Sequence, residues 1–281
     1  MKRAQRQDDR RSDGLIFLKL GGSLITDKGS PETAREERIS RAAHEIREAL
    51  DEAADLNLVI GHGSGSFGHS RARRYGVQEG LARSDDWWGY AETGALAARL
   101  NRLVTDVLLA NAIPVLSLQP SASALCHDGE VVHLEISPVI RALEMRLVPV
   151  VYGDVCFDRV RGSAVISTEQ IFAYLSPHLR PERIILAGQV EGVFTGDPLK
   201  DPHARLLRDI PLSTAHEVER LLAGSHGIDV TGGMLTKVRT MCRVVAAQPD
   251  VTVRFISGER EGLIKKTLLS AEVREGTLLH S

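Results

Sequence analysis

The sequence predicts an α/β fold with a mainly parallel central sheet covered by helices on both faces. Three observations carry that prediction. Short aliphatic runs alternate with longer amphipathic stretches from residue 15 onward, the pattern that builds parallel sheets through helical crossovers. Several runs are apolar enough to be buried on both faces. Several also end directly in glycine-containing loops, at the strand ends where ligands collect in such folds.

LIFLKL (15–20) is a strand of aliphatic residues stopped by Gly21-Gly22. Residues 35–54 place Ile39, Ala42, Ala43, Ile46 and Leu50 at helical spacing with charges elsewhere. NLVIG (57–61) is the next strand and runs straight into the loop GHGSGSFGH (61–69), which sets His69 at its far side. A long helix follows from about Asp85 to Asn111, then strands at 113–118 and 148–153, both read as buried. Residues 155–167 form a hairpin turning near Arg161-Gly162. In the second half a helix at 168–176, a strand at 183–188, a helix from Gly232 to Ala247, a strand at 251–257 and a short helix from Glu261 repeat the alternation.

The chain has 281 residues, 43% hydrophobic and 26% charged, with a net charge of −2. That balance excludes a global basic field for nucleic acid or an anionic membrane. No apolar run approaches the ~18 residues of a membrane span. The Arg-rich opening also carries acids and lacks an apolar core, so residues 1–14 are expected to be a disordered tail and not a targeting signal. Cys126, Cys156 and Cys242 are odd in number and far apart, which fits reduced thiols in a cytoplasmic protein. No metal ligand set stands out. The rest is read as one domain, 15–281, whose single plausible seam near 165–180 is not a flexible linker.

Glycine loops at helix N-termini present several N–H groups together and attract anions. Four such loops occur: KLGGSLITDK (19–28), GHGSGSFGH (61–69), YGDV (152–155) and DVTGGMLTK (229–237). Neither the P-loop nor the dinucleotide fingerprint is present, nor the HRD and DFG set of protein kinases. Lys19 and Lys28 flank the first glycine turn, and Lys237 lies one turn inside the helix after the fourth loop. Phosphoryl transfer needs such cations, since its catalysis is mostly positioning and charge stabilisation. Lys19 stands at the end of an apolar strand, where an unpaired ammonium is expensive and a phosphate would satisfy it.

KLGGSLITDK, HGSGSFGH, VPVVYGDV with the FDRVRG after it, DVTGGMLTK and the EGTLL tail (275–279) together resemble the amino acid kinase superfamily. Within it they are similar to the isopentenyl phosphate kinases; fosfomycin kinases share a histidine at the position of His69. The resemblance implies an open αβα sandwich, with 15–165 holding the acceptor and 166–281 holding ATP with Mg²⁺. It implies that Lys19, Gly21, Gly22 and Ser23 surround the ATP phosphates and that Lys28 stabilises the transferring group. It further implies that Ser64, Gly65 and His69, with Gly153, meet the acceptor phosphate and the γ-phosphate, and that Gly233 and Lys237 contact ATP from the other side. The implied acceptor is a small phosphate monoester, isopentenyl phosphate, and the implied assembly a homodimer.

The chemistry of such an acceptor assigns His69 to binding and orientation, because a phosphate monoester is already mostly dianionic at neutral pH. Asp154 either orients the site or caps the next turn. Trp87, Trp88 and Tyr90 either wall an apolar tail or pack elsewhere. Two segments depart from the pattern of similar kinases: Ser167-Thr168-Glu169 replaces S-G-D, and Gly188-Gln189-Val190-Glu191-Gly192 replaces T-D-V-D-G. Both fall in the half that the resemblance gives to the nucleotide and bear on nucleoside preference. A kinase of a phosphonate such as fosfomycin, or a nucleotide-binding protein without catalysis, are the alternative readings.

Overall fold

The computed structural model describes residues 14–27, 29–81, 87–198, 200–224 and 233–281. The side chains of His69 and Ser70 also lie outside the described part. In chain order the elements are β1 (Leu15–Leu20), α1 (Gly22–Ile25), α2 (Glu36–Glu52), β2 (Asn57–His62), α3 (Gly65–Arg74), α4 (Trp88–Ala110), β3 (Val115–Ser117), β4 (Leu125–His127) and β5 (Glu130–His133). Then come α5 (Ser137–Glu144), β6 (Val148–Tyr152), β7 (Asp154–Asp158), β8 (Gly162–Ile166), α6 (Thr168–Leu179), β9 (Arg183–Gly188), β10 (Val193–Phe194), β11 (Leu206–Leu207) and β12 (Asp209–Pro211). The chain closes with α7 (Ala215–Gly224), α8 (Gly233–Ala247), β13 (Thr252–Ser257), α9 (Leu263–Leu269) and β14 (Thr277–His280).

Eight strands form one sheet in the order β12-β14-β13-β9-β1-β2-β6-β3. Every pair is parallel except β13 with β14. The sheet is covered on both faces, the α/β sandwich that the alternation foretold. Alternation along β1 divides the core. Leu15 and Phe17 face the side covered by α6 and α8, whereas Ile16, Leu18 and Leu20 face α2, α4 and α9. β1 lies between β2, which the chain visits next, and β9, which it reaches much later. The switch point of the sheet is therefore at the carboxyl end of β1, where such folds bind ligands.

Most elements follow the sequence reading, with four corrections. The strand foreseen at 113–118 is only three residues long and forms the sheet edge, with Leu116 exposed, so it is not buried on both faces. The helix foreseen at 168–176 runs on to Leu179 and takes in Pro177. The glycine loop stops early: α3 begins at Gly65, so the backbone of His69 is helical. A second sheet, β5-β4-β7-β8, stands beside the main one and contains the foreseen hairpin. Its pieces β4 and β5 are too short to carry a periodicity signal. All three cysteines are free and buried. Among the described residues no helix is long and apolar enough to cross a membrane.

Candidate active site

Lys19 is the third residue of β1 on the α6 face, after Leu15 and Phe17, and it is 6% exposed. Its neighbour in register on β2 is Gly61. A Cβ on Gly61 would collide with Thr168 and Phe172, so this missing side chain lets the start of α6 lie against the sheet. A capping box fixes that start: Ser167 Oγ accepts from the Gln170 N–H and the Gln170 side chain accepts from the Ser167 N–H. Glu169 in the first turn is thereby set onto Lys19, and the two form a buried ion pair.

Burial lowers the pKa of Lys19, opposed by the charge of Glu169 and reinforced by Lys237. Burial pushes the Glu169 carboxyl the other way, but the ammonium groups of Lys19 and Lys237 prevail and hold it below the usual carboxylate range. Lys237 is half-buried within α8. Three charges thus meet at the end of β1, two positive and one negative, and the Glu169 Oε1 atom has no hydrogen-bond partner among the described residues. A site with a net positive charge of this kind suits a phosphate chain.

The glycine turns after β1 and β2 pack backbone against backbone. A Cβ on Gly22 would lie 2.7 Å from the Gly65 nitrogen, and one on Gly63 would lie 2.8 Å from the Gly22 nitrogen. Gly65 has φ +50°, and a side chain there would strike Thr26. The Thr26 hydroxyl ties the turns together, donating to Gly22 O at 2.7 Å and accepting from the Ser66 N–H at 3.0 Å. On its other side Gly21 donates to Ala187 O at the end of β9, at 2.8 Å. Ser23 follows within α1.

Gly153, after β6, donates to His62 O at 3.0 Å, and the position of a Cβ on it lies 3.7 Å from the Ser64 nitrogen. Ser64 is buried and immediately precedes α3. Asp154 is buried, its carboxyl pKa raised by that burial, and it accepts from Ser121 N–H at 3.1 Å and Val155 N–H at 2.8 Å. It works as a backbone cap joining residue 121 to β7. Trp87, Tyr90 and Phe157 form an aromatic cluster, with Tyr90 stacked on Phe157 at 4.9 Å, and Trp88 is largely exposed.

On the other flank, Gly188 ends β9, and among the described residues nothing lies within 4 Å of where its Cβ would be. Its carbonyl accepts from Gly258 N–H at 2.8 Å, just past β13. Gly233 is buried at the start of α8. Lys28, the side chain of His69 and residues 225–232 lie outside the described residues. The flanks of Lys28 are held, Asp27 N–H donating to Thr33 O at 2.9 Å and Arg35 N–H to Ile25 O at 2.8 Å.

Of the sequence-predicted residues, the structure brings Lys19, Gly21, Gly22, Gly65, Ser64 and Gly153 to one edge of the sheet, and adds Lys237 by its charge. The reading missed Glu169, treated as a change near the nucleoside, whereas it is the partner of the buried Lys19. It also missed Thr26, His62 and Asn101. A signal existed for Asn101: it interrupts the apolar stripe Ala97, Leu100, Val104, Leu108 of α4. No local signal marked Glu169, which lies 150 positions from its partner.

A family model described as the amino acid kinase family matches residues 14–255. The isopentenyl phosphate kinase of Methanothermobacter thermautotrophicus is 40% identical over 267 residues, which cover 92% of this chain and 97% of that protein. A solved isopentenyl phosphate kinase superimposes with a TM-score of 0.80 at 38% identity, covering 94% of this chain and 99% of the other. The product complex of the Thermoplasma acidophilum isopentenyl phosphate kinase gives a TM-score of 0.76 at 27% identity, covering 95% of this chain and all of that one.

Proposed function

The chain belongs to the amino acid kinase family, and on that premise we propose that it phosphorylates isopentenyl phosphate with ATP, giving isopentenyl diphosphate and ADP. The observation that carries the proposal is the buried Lys19 ammonium at the switch point, flanked by interlocked glycine turns. The likeness to isopentenyl phosphate kinases along nearly the whole chain supports the choice of acceptor.

In this reaction an acceptor phosphate oxygen attacks the γ-phosphorus in line, a new P–O bond forms, and the bond to the β–γ bridging oxygen breaks with its electron pair leaving on ADP. The second pKa of a phosphate monoester is ~6, so the attacking oxygen is already ionised and no general base is needed. The obstacle is repulsion: each pair of unit charges ~4 Å apart costs about 4 kcal/mol at an effective dielectric of ~20. Lys19, with Gly21, Gly22 and Ser23, takes the ATP phosphates, and Lys28 meets the transferring group. Ser64, Gly65, His69 and Gly153 hold the acceptor phosphate. Gly233 and Lys237 approach ATP from the other side, and the nucleotide lies over Gly188, where no described residue comes within 4 Å of the place of a Cβ. Glu169 keeps the two ammonium groups together without neutralising both.

Mg²⁺, when bound, neutralises charge on the phosphates. Among the described residues no three His, Cys, Asp or Glu side chains group to cage an ion. That suits an ion carried in on substrate phosphates. The cluster of Trp87, Tyr90 and Phe157 supplies an apolar wall for a short tail. Tail burial contributes about 0.8 kcal/mol per CH₂. The enzyme acts as a cytoplasmic homodimer, with residues 15–165 as the acceptor half and 166–281 as the ATP half.

Coupled ADP-release assays with isopentenyl phosphate, dimethylallyl phosphate, geranyl phosphate and fosfomycin test the proposal. Turnover is expected to be highest with a short isoprenoid phosphate. Turnover with fosfomycin alone moves the assignment to a phosphonate kinase, and ATP binding without turnover on any acceptor moves it to a non-catalytic role. His69→Gln, which retains a donor, is expected to keep more turnover than His69→Ala; equal loss with a single basic group controlling the pH profile contradicts the orienting role.

A further inference from the structure

The phosphoryl-transfer scheme leaves one buried titratable group at this edge unused. His62, the last residue of β2, is fully buried on the face of Leu58 and Ile60, the side covered by α4. Its ring stacks on Tyr152, with centroids 5.5 Å apart and planes 8° apart. Nδ1 lies 3.2 Å from Gly63 O and Nε2 lies 3.2 Å from Asn101 Oδ1. The other amide atom of Asn101 is 2.5 Å from Ser117 Oγ. The main-chain carbonyl of His62 accepts from Gly153 N–H at 3.0 Å and from the Thr168 hydroxyl at 2.6 Å. Ring and carbonyl together therefore touch the turns after β2 and β6 and the first residue of α6.

Burial depresses the His62 pKa to about 4, against the weaker pull of its hydrogen bonds and with the help of the Lys19 charge, so the ring is neutral at pH 7. The Tyr152 hydroxyl, raised by burial, stays protonated beside it. A neutral imidazole has one donor and one acceptor. Gly63 O only accepts, so the hydrogen sits on Nδ1. Nε2 then needs a donor, which the Asn101 amide supplies once turned over from the orientation that sets Oδ1 at 3.2 Å from the ring, and Ser117 Oγ–H then donates to the amide oxygen.

We propose that His62 is a positioning residue for the acceptor phosphate: its Nδ1–H holds the Gly63 carbonyl inward, and so aims the Ser64 N–H outward toward Gly153. The link is the peptide plane, because the C=O and N–H of one trans peptide point in opposite directions. Ser64 N lies on the side of Gly153 that carries no side chain, 3.7 Å from where a Cβ would be. The role rests on reading residues 63–65 and 153 as the acceptor-phosphate loop.

Two measurements test it. Imidazole ¹⁵N spectra of the whole wild-type chain are expected to show His62 neutral, with its proton on Nδ1, between about pH 5.5 and 8. A proton on Nε2, or on both nitrogens, overturns the proposal, and this readout requires neither a variant nor turnover. Kinetically, the His62→Asn amide still reaches Gly63 O, and the acceptor KM is expected to stay within about threefold. The His62→Gln amide extends toward Asn101 and misses Gly63 O, so the acceptor KM is expected to rise about 10- to 100-fold while the KM for ATP moves less than about threefold. Equal effects of the two variants, or KM values for ATP and acceptor rising together, overturn positioning in favour of a merely structural histidine. Wild-type silence with isopentenyl phosphate overturns the functional reading instead, and the tautomer then decides the hold on Gly63 by itself.

Discussion

On the β2 side of β1 the glycines touch one another; on the β9 side the place of a Gly188 side chain is empty among the described residues. Gly22 and Gly63 are small because neighbouring backbone fills the place of each side chain, and Gly65 because the Thr26 side chain and the Gly22 carbonyl do. Gly188 is small beside empty space. One residue type thus serves two ends. In the first region it lets two loops interlock, in the place where the proposed function puts the phosphates. In the second it leaves room that no described residue fills. A glycine-rich segment in a sequence does not say which, and stability measurements separate them.

The sharpest break of this contrast is at the ion pair between the two regions. Glu169→Gln leaves the Lys19 ammonium buried without its counter-charge, and is expected to destabilise the fold by about 3–5 kcal/mol in chemical denaturation. Turnover should fall with it by more than about 100-fold, because two cations lose the anion that spaces them. His62 gives the next largest effect. Its folded pKa of about 4 lies below the ordinary value of 6.5. The unfolded chain therefore binds a proton that the fold refuses, and stability is lost as pH falls from the higher value toward the lower. The full loss is about 3 kcal/mol. Denaturation of wild type and His62→Asn across that window isolates it, since the variant lacks the titration.

Gly22→Ala forces a methyl group into the Gly65 backbone, and a loss of about 1–3 kcal/mol is expected from overpacking, with the KM for ATP raised. Gly188→Ala is the matched control and the smallest effect: thermal unfolding should stay within about 0.5 kcal/mol of wild type while the KM for ATP rises. If Gly188→Ala destabilises as much as Gly22→Ala, the two regions do not differ in the way described here.

Much of the central sheet was legible, because β1, β2, β6, β9 and β13 are long apolar runs whose burial the residues themselves announce. Lys19 was legible for the same reason, as an ammonium closing an apolar strand. Glu169 was not: its neighbours Ser167 and Gln170 announce a helix start, but only the register of Lys19 beside Gly61, and the close approach of α6 that Gly61 permits, puts it in the site. His62 was hidden inside a loop signature, where alternation along β2 and the polar break at Asn101 in α4 were the available clues. The two- and three-residue strands β3, β4 and β10–β12 carry too few side chains for a period of two to register, and tertiary pairing alone defines them.

In the proposed reaction an acceptor phosphate oxygen forms the new bond to the γ-phosphorus. Isopentenyl phosphate labelled with ¹⁸O at its non-bridging oxygens, converted with unlabelled ATP and followed by ³¹P isotope shifts, is expected to place ¹⁸O in the bridge between the two phosphorus atoms of the product. An unlabelled bridge contradicts attack by that oxygen.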